Sequence, residues 1–236
     1  MRAAQQVSRQ MIEKAARLLA PLGQQVVFLG GAAMALLITD PAAPDVRVTE
    51  DVDVIVEIAS RSRYYRLEER LRELGFTQSR EEQGVICRWQ HSGLKIDIMP
   101  TEENILTFGN RWYAPAMKTA QEVQMAGDLS IHLITVPYFL ATKIDAFRSG
   151  SRGDLWTSRD MQDIVSLLDG RPEAVAEVQA SEPEVRTFLA VAFKQFGQDE
   201  EFADLLPGLL NPDDASQARL PLIQARIQQI SGASAP

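Results

Sequence analysis

Along residues 5–20, Val7, Met11, Ile12, Ala15, Leu18 and Leu19 recur at helical spacing, and Pro21 and Gly23 close the run. Residues 25–29 form a short β-type stretch. It leads through Gly30-Gly31 into a small apolar segment, residues 32–38, which the pattern predicts as a buried helix. Residues 40–45 contain Pro41 and Pro44 and read as a loop. Residues 52–58 predict a strand, with Val52, Val54 and Val56 alternating against Asp51, Asp53, Ile55 and Glu57. A charged amphipathic helix follows over residues 61–74 and stops at Gly75. Residues 85–90 and 94–99 predict a hairpin turned at His91-Ser92-Gly93, and residues 122–125 and 129–135 a second strand pair around Gly127-Asp128.

From Pro137 the pattern changes to helical segments at residues 139–147, 155–168, 172–178, 184–196, 200–210 and 215–230. The expected organisation is a mixed α/β core over residues 1–136, a helical region over 137–230 and a disordered tail over 231–236. Chain order does not decide whether the two halves pack as one domain or two.

Composition narrows the chemistry. The single cysteine, Cys87, leaves no internal disulfide and no multi-cysteine metal site, and two histidines make a histidine-rich zinc site a poor fit. A metal, if used, must be held by carboxylates, which suits a hard ion such as magnesium. A net charge of −8 argues against a general nucleic-acid coating protein. The apolar runs are too short to cross a bilayer, and polar residues interrupt the N-terminal stretch where a signal peptide would be apolar. No membrane association and a cytoplasmic location are therefore expected.

Asp51 and Asp53 stand two apart on a strand, so both side chains leave one face, with Cα atoms about 7 Å apart. Like charges gathered there cost free energy unless a cation compensates them. Asp97, within Lys95-Ile96-Asp97-Ile98-Met99, becomes a third acid of the cluster if its strand pairs nearby, and three acids suit a two-metal phosphoryl site. D-x-D alone is common and would ordinarily be a solvated strand face. Gly-Gly alone is as readily a tight turn. Their order argues for more: strand, Gly30-Gly31, helix, acid-bearing strand, third acid. Glycines at that point let backbone approach a ligand and place N–H groups at a helix N-terminus, where phosphate binds.

With these motifs the chain resembles the nucleotidyltransferase superfamily, and within it the AbiEii/MenT-like toxins of toxin–antitoxin systems. The residues that carry the likeness are Phe28-Leu29-Gly30-Gly31-Ala32-Ala33, then Arg47-Val48-Thr49-Glu50-Asp51-Val52-Asp53-Val54, then Lys143, then Arg159-Asp160-Met161-Gln162-Asp163-Ile164. It covers residues 25–170. The resemblance implies a nucleotidyltransferase-like mixed β-sheet with flanking helices, followed by a C-terminal helical bundle. It implies that Asp51 and Asp53, with Asp97 as a third acid, bind Mg2+ and the triphosphate. Gly30 and Gly31 would cradle the phosphates beside Arg47 and Thr49. Lys143 would offset triphosphate charge, Asp163 or Asp160 would help position the metal, the nucleotide or Lys143, and Arg159 would bind the nucleotide. A nucleoside triphosphate would then donate its monophosphate to a hydroxyl, with tRNA or a protein as acceptor and a cognate antitoxin as partner.

Two rival readings stay open: a small-molecule nucleotidyltransferase of the aminoglycoside type, and a non-catalytic member that binds nucleotide or a partner. Arg61, Arg63, Arg66, Arg70 and Arg72 could meet RNA phosphates, but Glu68, Glu69 and Glu73 on the same helix favour a solvated face. Arg148 and Arg152 flank the Lys143 helix and could hold phosphate or stabilise the helix end. Trp89, Trp112 and Trp156 read as core, Cys87 as a small buried residue and His132 as structural.

Overall fold

The structure is a computed structural model that describes residues 2–78, 87–106, 109–149 and 157–232. The chain divides into two compact units. One comprises residues 1–35 and 47–135, the other residues 36–46 and 136–236. Val85, Arg152, Trp156 and residues 233–236, all named above, lie outside the described residues.

The first unit is built on a mixed seven-stranded sheet. Its strands are β1 (Val26–Leu29), β2 (Asp51–Val56), β3 (Thr77–Gln78), β4 (Arg88–His91), β5 (Leu94–Pro100), β6 (Gln121–Gln124) and β7 (Ser130–Leu133), in the spatial order β3-β4-β5-β2-β1-β7-β6. Strand β2 pairs antiparallel to β1 and parallel to β5. Its sequence explains its central place. Val52, Val54 and Val56 are wholly buried on one face, and Ile55 is wholly buried on the other. Only the first half of the strand spares one face for polar groups, and Asp51 and Asp53 occupy it. Helices α1 (Ala3–Leu19), α3 (Arg61–Glu73) and α4 (Tyr113–Thr119) belong to this unit, with α1 resting on β2 and β5. Along α1, Ile12, Ala15 and Leu19 of the predicted stripe are buried, whereas Val7 is exposed. Trp89, Trp112 and Cys87 are core residues as expected. The short β3 and α4 carry too few residues for their periodicity to show in the sequence.

Helix α2 (Gly30–Leu37) follows β1 directly and is apolar on all sides. After it, residues 36–46 pack with the helical unit. The amides of Thr39 and Asp40 both donate to the Gly170 carbonyl at 3.0 Å.

Among the described residues, the regular structure of the second unit is helical: α5 (Val136–Ser149), α6 (Arg159–Gly170), α7 (Ala174–Gln179), α8 (Pro183–Gln198), α9 (Glu200–Leu205), α10 (Asp214–Gln217) and α11 (Leu220–Ser231). Two expected helices are shorter than the periodicity implies. Pro207 has no N–H to give, and the segment after Leu205 tightens into a 3₁₀ turn, Leu206–Leu209. Pro221 opens α11 near its first position, which splits residues 215–230 into α10 and α11. Among the described residues no helix is long and apolar enough to cross a membrane.

The end of α6 is tied down by two arginines. Arg226 donates to the Leu168 and Asp169 carbonyls, which a helix C-terminus otherwise leaves unpaired. Arg219 reaches the Asp169 carboxylate at 2.5 Å and Asp40 at 2.6 Å. The hydrogen bond from Arg219, then that from the Ala42 amide, holds the Asp40 carboxyl below its usual value. A lowered carboxyl stabilises the fold above its unfolded pKa, and that stability is lost as pH falls through the folded value. Arg219→Gln leaves the buried Asp169 without its charge partner and is expected to cost about 3 kcal/mol near neutral pH. Urea unfolding at decreasing pH should show wild type losing stability below about pH 4, with a shallower loss in Arg219→Gln.

Candidate active site

Asp51 and Asp53 project from the same face of β2. In the sheet register Asp53 stands opposite Leu29 of β1 on one side and Asp97 of β5 on the other. Since directly paired residues share a face, Asp97 joins Asp51 and Asp53, as the sequence suggested it would if its strand paired nearby.

The glycines are explained by what lies against them. Gly30 adopts φ +70°, and a Cβ built there would sit 1.8 Å from Asp53 Oδ2. At Gly31 a Cβ would sit 2.6 Å from the Arg47 guanidinium and 3.4 Å from the Thr49 hydroxyl. The Gly-Gly and Arg-x-Thr-x-Asp-x-Asp motifs are thus two sides of one contact. The backbone at the start of α2 lies against the side chains of Arg47, Thr49 and Asp53. That backbone also presents the N–H groups of a helix N-terminus, which favour an anion. Thr49 is buried, and its hydroxyl donates to Asp51 Oδ1 at 2.9 Å.

Arg88 was absent from the expected site. Its Nε donates to Asp97 Oδ1 at 2.8 Å, and its Nη2 donates to Asp97 Oδ2 at 2.7 Å and to Asp51 Oδ2 at 2.9 Å. The signal for it lay in the hairpin. Ser92 (φ 49°) and Gly93 (φ 76°) make a two-residue turn with both residues left-handed, which pairs His91 with Leu94 and Arg88 with Asp97. The expected three-residue turn, His91-Ser92-Gly93, would have set Cys87 opposite Asp97.

Asp51 and Asp53 suit a hard cation, since both offer carboxylate oxygens on one face beside a cleared backbone. Asp97 fits that role less well, because a single guanidinium spans both of its oxygens and its side chain is more enclosed than that of Asp51. Among the described residues no group of three or more His, Cys, Asp or Glu converges as a ready metal cage.

The other expected site residues lie in the helical unit. Lys143 of α5 lies between two carboxylates of α6, with Nζ 2.9 Å from Asp160 and 2.7 Å from Asp163. Lys143 is 12% and Asp163 2% exposed, so this is a buried ion pair and not the solvated helix position that its local sequence suggests. Asp160 and Asp163 are neighbours on one helix face. Arg159 opens α6 and is exposed, outside this triad.

Three of the five α3 arginines have partners within this unit, while Arg63 and Arg66 are exposed. Arg70 pairs with Glu73, Arg72 pairs with Glu68, and Arg61 donates to the Asn104 carbonyl. Arg148 donates to Gln195 and lies over Phe188. Burial first, then the charges of Asp97 and Asp53, pushes the Cys87 thiol up to about 12.

Two predictions follow from this geometry. Gly23 (φ +65°) and Gly30 (φ +70°) share a left-handed backbone, but only Gly30 has a neighbour within reach of a Cβ. Alanine at either should cost about 1–2 kcal/mol through backbone strain. Only Gly30→Ala should also displace Asp53, so urea unfolding of the pair should show the larger loss in Gly30→Ala. Cys87 should resist iodoacetamide in the native protein even at mildly alkaline pH and react promptly in urea. Rapid native labelling, read by mass spectrometry, would contradict its burial.

No curated protein matches the chain. Among solved structures, an antigenic nucleotidyltransferase-like protein from Paracoccidioides brasiliensis is similar at 20% identity and a TM-score of 0.47, over 86% of this chain and 91% of that one. Similarity that low is a likeness and nothing more. The family model described as "Nucleotidyl transferase AbiEii toxin, Type IV TA system" matches residues 15–232. That span takes in both sets of site residues and nearly the whole chain, and the protein therefore belongs to the AbiEii nucleotidyltransferase toxin family.

Proposed function

We propose that the protein is a magnesium-dependent nucleotidyltransferase that moves a nucleoside monophosphate from a nucleoside triphosphate to a hydroxyl acceptor. The observation that carries this reading is the contact of the Gly30-Gly31 backbone with Asp53, Arg47 and Thr49. A tight turn alone needs no carboxylate pressed against it. Family membership supplies the reaction class.

In this reading Asp51 and Asp53 hold the magnesium. When bound, the ion supplies charge neutralisation at the phosphates. The N–H groups at the start of α2 receive phosphate oxygens, and Arg47 adds a positive charge beside them. The acceptor hydroxyl attacks the α-phosphorus, the bond to the bridging oxygen breaks, and pyrophosphate leaves. Lys143, oriented by Asp160 and Asp163, is assigned to the triphosphate charge. The family motif, rather than any distance, supports that assignment. The acceptor is a tRNA 3′ end or a protein side chain, and a cognate antitoxin is the partner that restrains the activity.

The test incubates each α-labelled nucleoside triphosphate with the protein, magnesium, and total RNA or total protein. We expect label on one polymer, its loss in EDTA, and background transfer by Asp53→Ala. Lys143→Ala should lower transfer on the order of 10²-fold. Triphosphate consumed only when small hydroxyl compounds are added would point to a small-molecule acceptor. Triphosphate untouched under all these conditions would refute the enzyme and leave a binding protein.

A further inference from the structure

Asp97 stands beside Asp53 in the strand register, where a third metal acid is expected, yet a single guanidinium engages both of its oxygens. That arrangement is the planar, two-pronged pairing in which arginine fixes a carboxylate. Asp97 and Arg88 are also the enclosed members of the cluster. Their side chains are 10% and 14% exposed, against 30% for Asp51. Arg88 reaches outward from Asp97 to Asp51 Oδ2, while Thr49 donates to Asp51 Oδ1. Asp51 is therefore gripped through both oxygens. A carboxylate has about four acceptor positions, so Asp51 and Asp97 both keep acceptor capacity, and it is the greater exposure of Asp51 that lets it offer that capacity outward. This is how ligating carboxylates are oriented by surrounding hydrogen bonds.

We propose that Arg88 is a positioning residue for Asp51 and that Asp97 is the anchor of Arg88, not a third metal ligand. The proposal rests on the nucleotidyl-transfer reading above. Without Arg88, Asp51 and Asp97 lose the cation that bridges them, and Asp51 loses one of its two orienting donors. Without the Asp97 charge, Arg88 loses its fixed partner and its grip on Asp51 loosens. Both losses act on the same carboxylate, so their effects should overlap and not add.

The test is a double-mutant cycle on the full chain, comparing wild type, Asp97→Asn, Arg88→Gln and the double variant. Urea unfolding in EDTA reads the pair without metal, and label transfer across a magnesium titration reads the site. Each single variant should raise the unfolding constant about tenfold, with the double variant well short of the product of the two. In transfer, each single variant should lower kcat about tenfold, and the double variant should be no slower than the slower single one. The nucleotide KM and the half-saturating magnesium concentration should move less than about threefold in Asp97→Asn. Arg88→Lys should restore part of kcat, because it returns the charge without the fork. Fully additive effects in unfolding overturn the anchoring. A rise of about tenfold or more in half-saturating magnesium for Asp97→Asn, matching Asp53→Asn and absent from Arg88→Gln, overturns the positioning role and makes Asp97 a metal ligand. A wild type without transfer removes the proposed function and the positioning role with it, and the unfolding cycle then decides the anchor alone.

Discussion

Arg88 bridges Asp51 and Asp97 across neighbouring strands, and the charge balance of the sheet face depends on that bridge. Three carboxylates share this face on adjacent strands. Two unit charges 4 Å apart repel by about 4 kcal/mol at an effective dielectric constant near 20. A protein stable by about 5–15 kcal/mol has little room for several such pairs uncompensated. Burying Arg88 beside Asp97 meets the inner part of that cost within the fold. On the outer side, Asp51 keeps acceptor capacity beyond its bonds to Arg88 and Thr49. The part of the sheet where like charges gather is in this way also the part proposed to bind a cation.

Packing delivers these groups to one place. Strand β2 is apolar on both faces along its second half, which fixes it in the middle of the sheet between β1 and β5. Strand β1 runs antiparallel to it, so Leu29 arrives opposite Asp53 and the chain turns into α2 at that level. Only a residue without a Cβ can make that turn against a carboxylate, and Gly30 is there. The local motif is a consequence of strand order as much as of ligand chemistry.

Much of this was legible beforehand. The alternation of Asp51-Val52-Asp53-Val54 states a half-open strand, and the order strand, Gly-Gly, helix, acid strand ties the motifs together. Lys143 was legible only through the family pattern, because its sequence neighbourhood does not show that Asp160 and Asp163 close on it. Arg88 was hidden by a single residue of turn length, since a one-residue shift of register replaces one partner of Asp97 with another. Residues 36–46 were read as part of the α/β core, whereas they pack with the helical unit. Asp40 finds Arg219 across 179 positions, and no local periodicity encodes so distant a pairing. The proline interruptions at Pro207 and Pro221 were written in the sequence, but the apolar spacing on either side masked them.

The central claim is that the face bearing Asp51 and Asp53 binds a magnesium–triphosphate. Titration calorimetry with a non-hydrolysable nucleoside triphosphate tests it directly, with and without EDTA, on wild type and on Asp53→Ala. The account predicts one site per chain, with binding abolished both by EDTA and by the substitution. Equal affinity in all four titrations would contradict it and place any nucleotide elsewhere on the molecule.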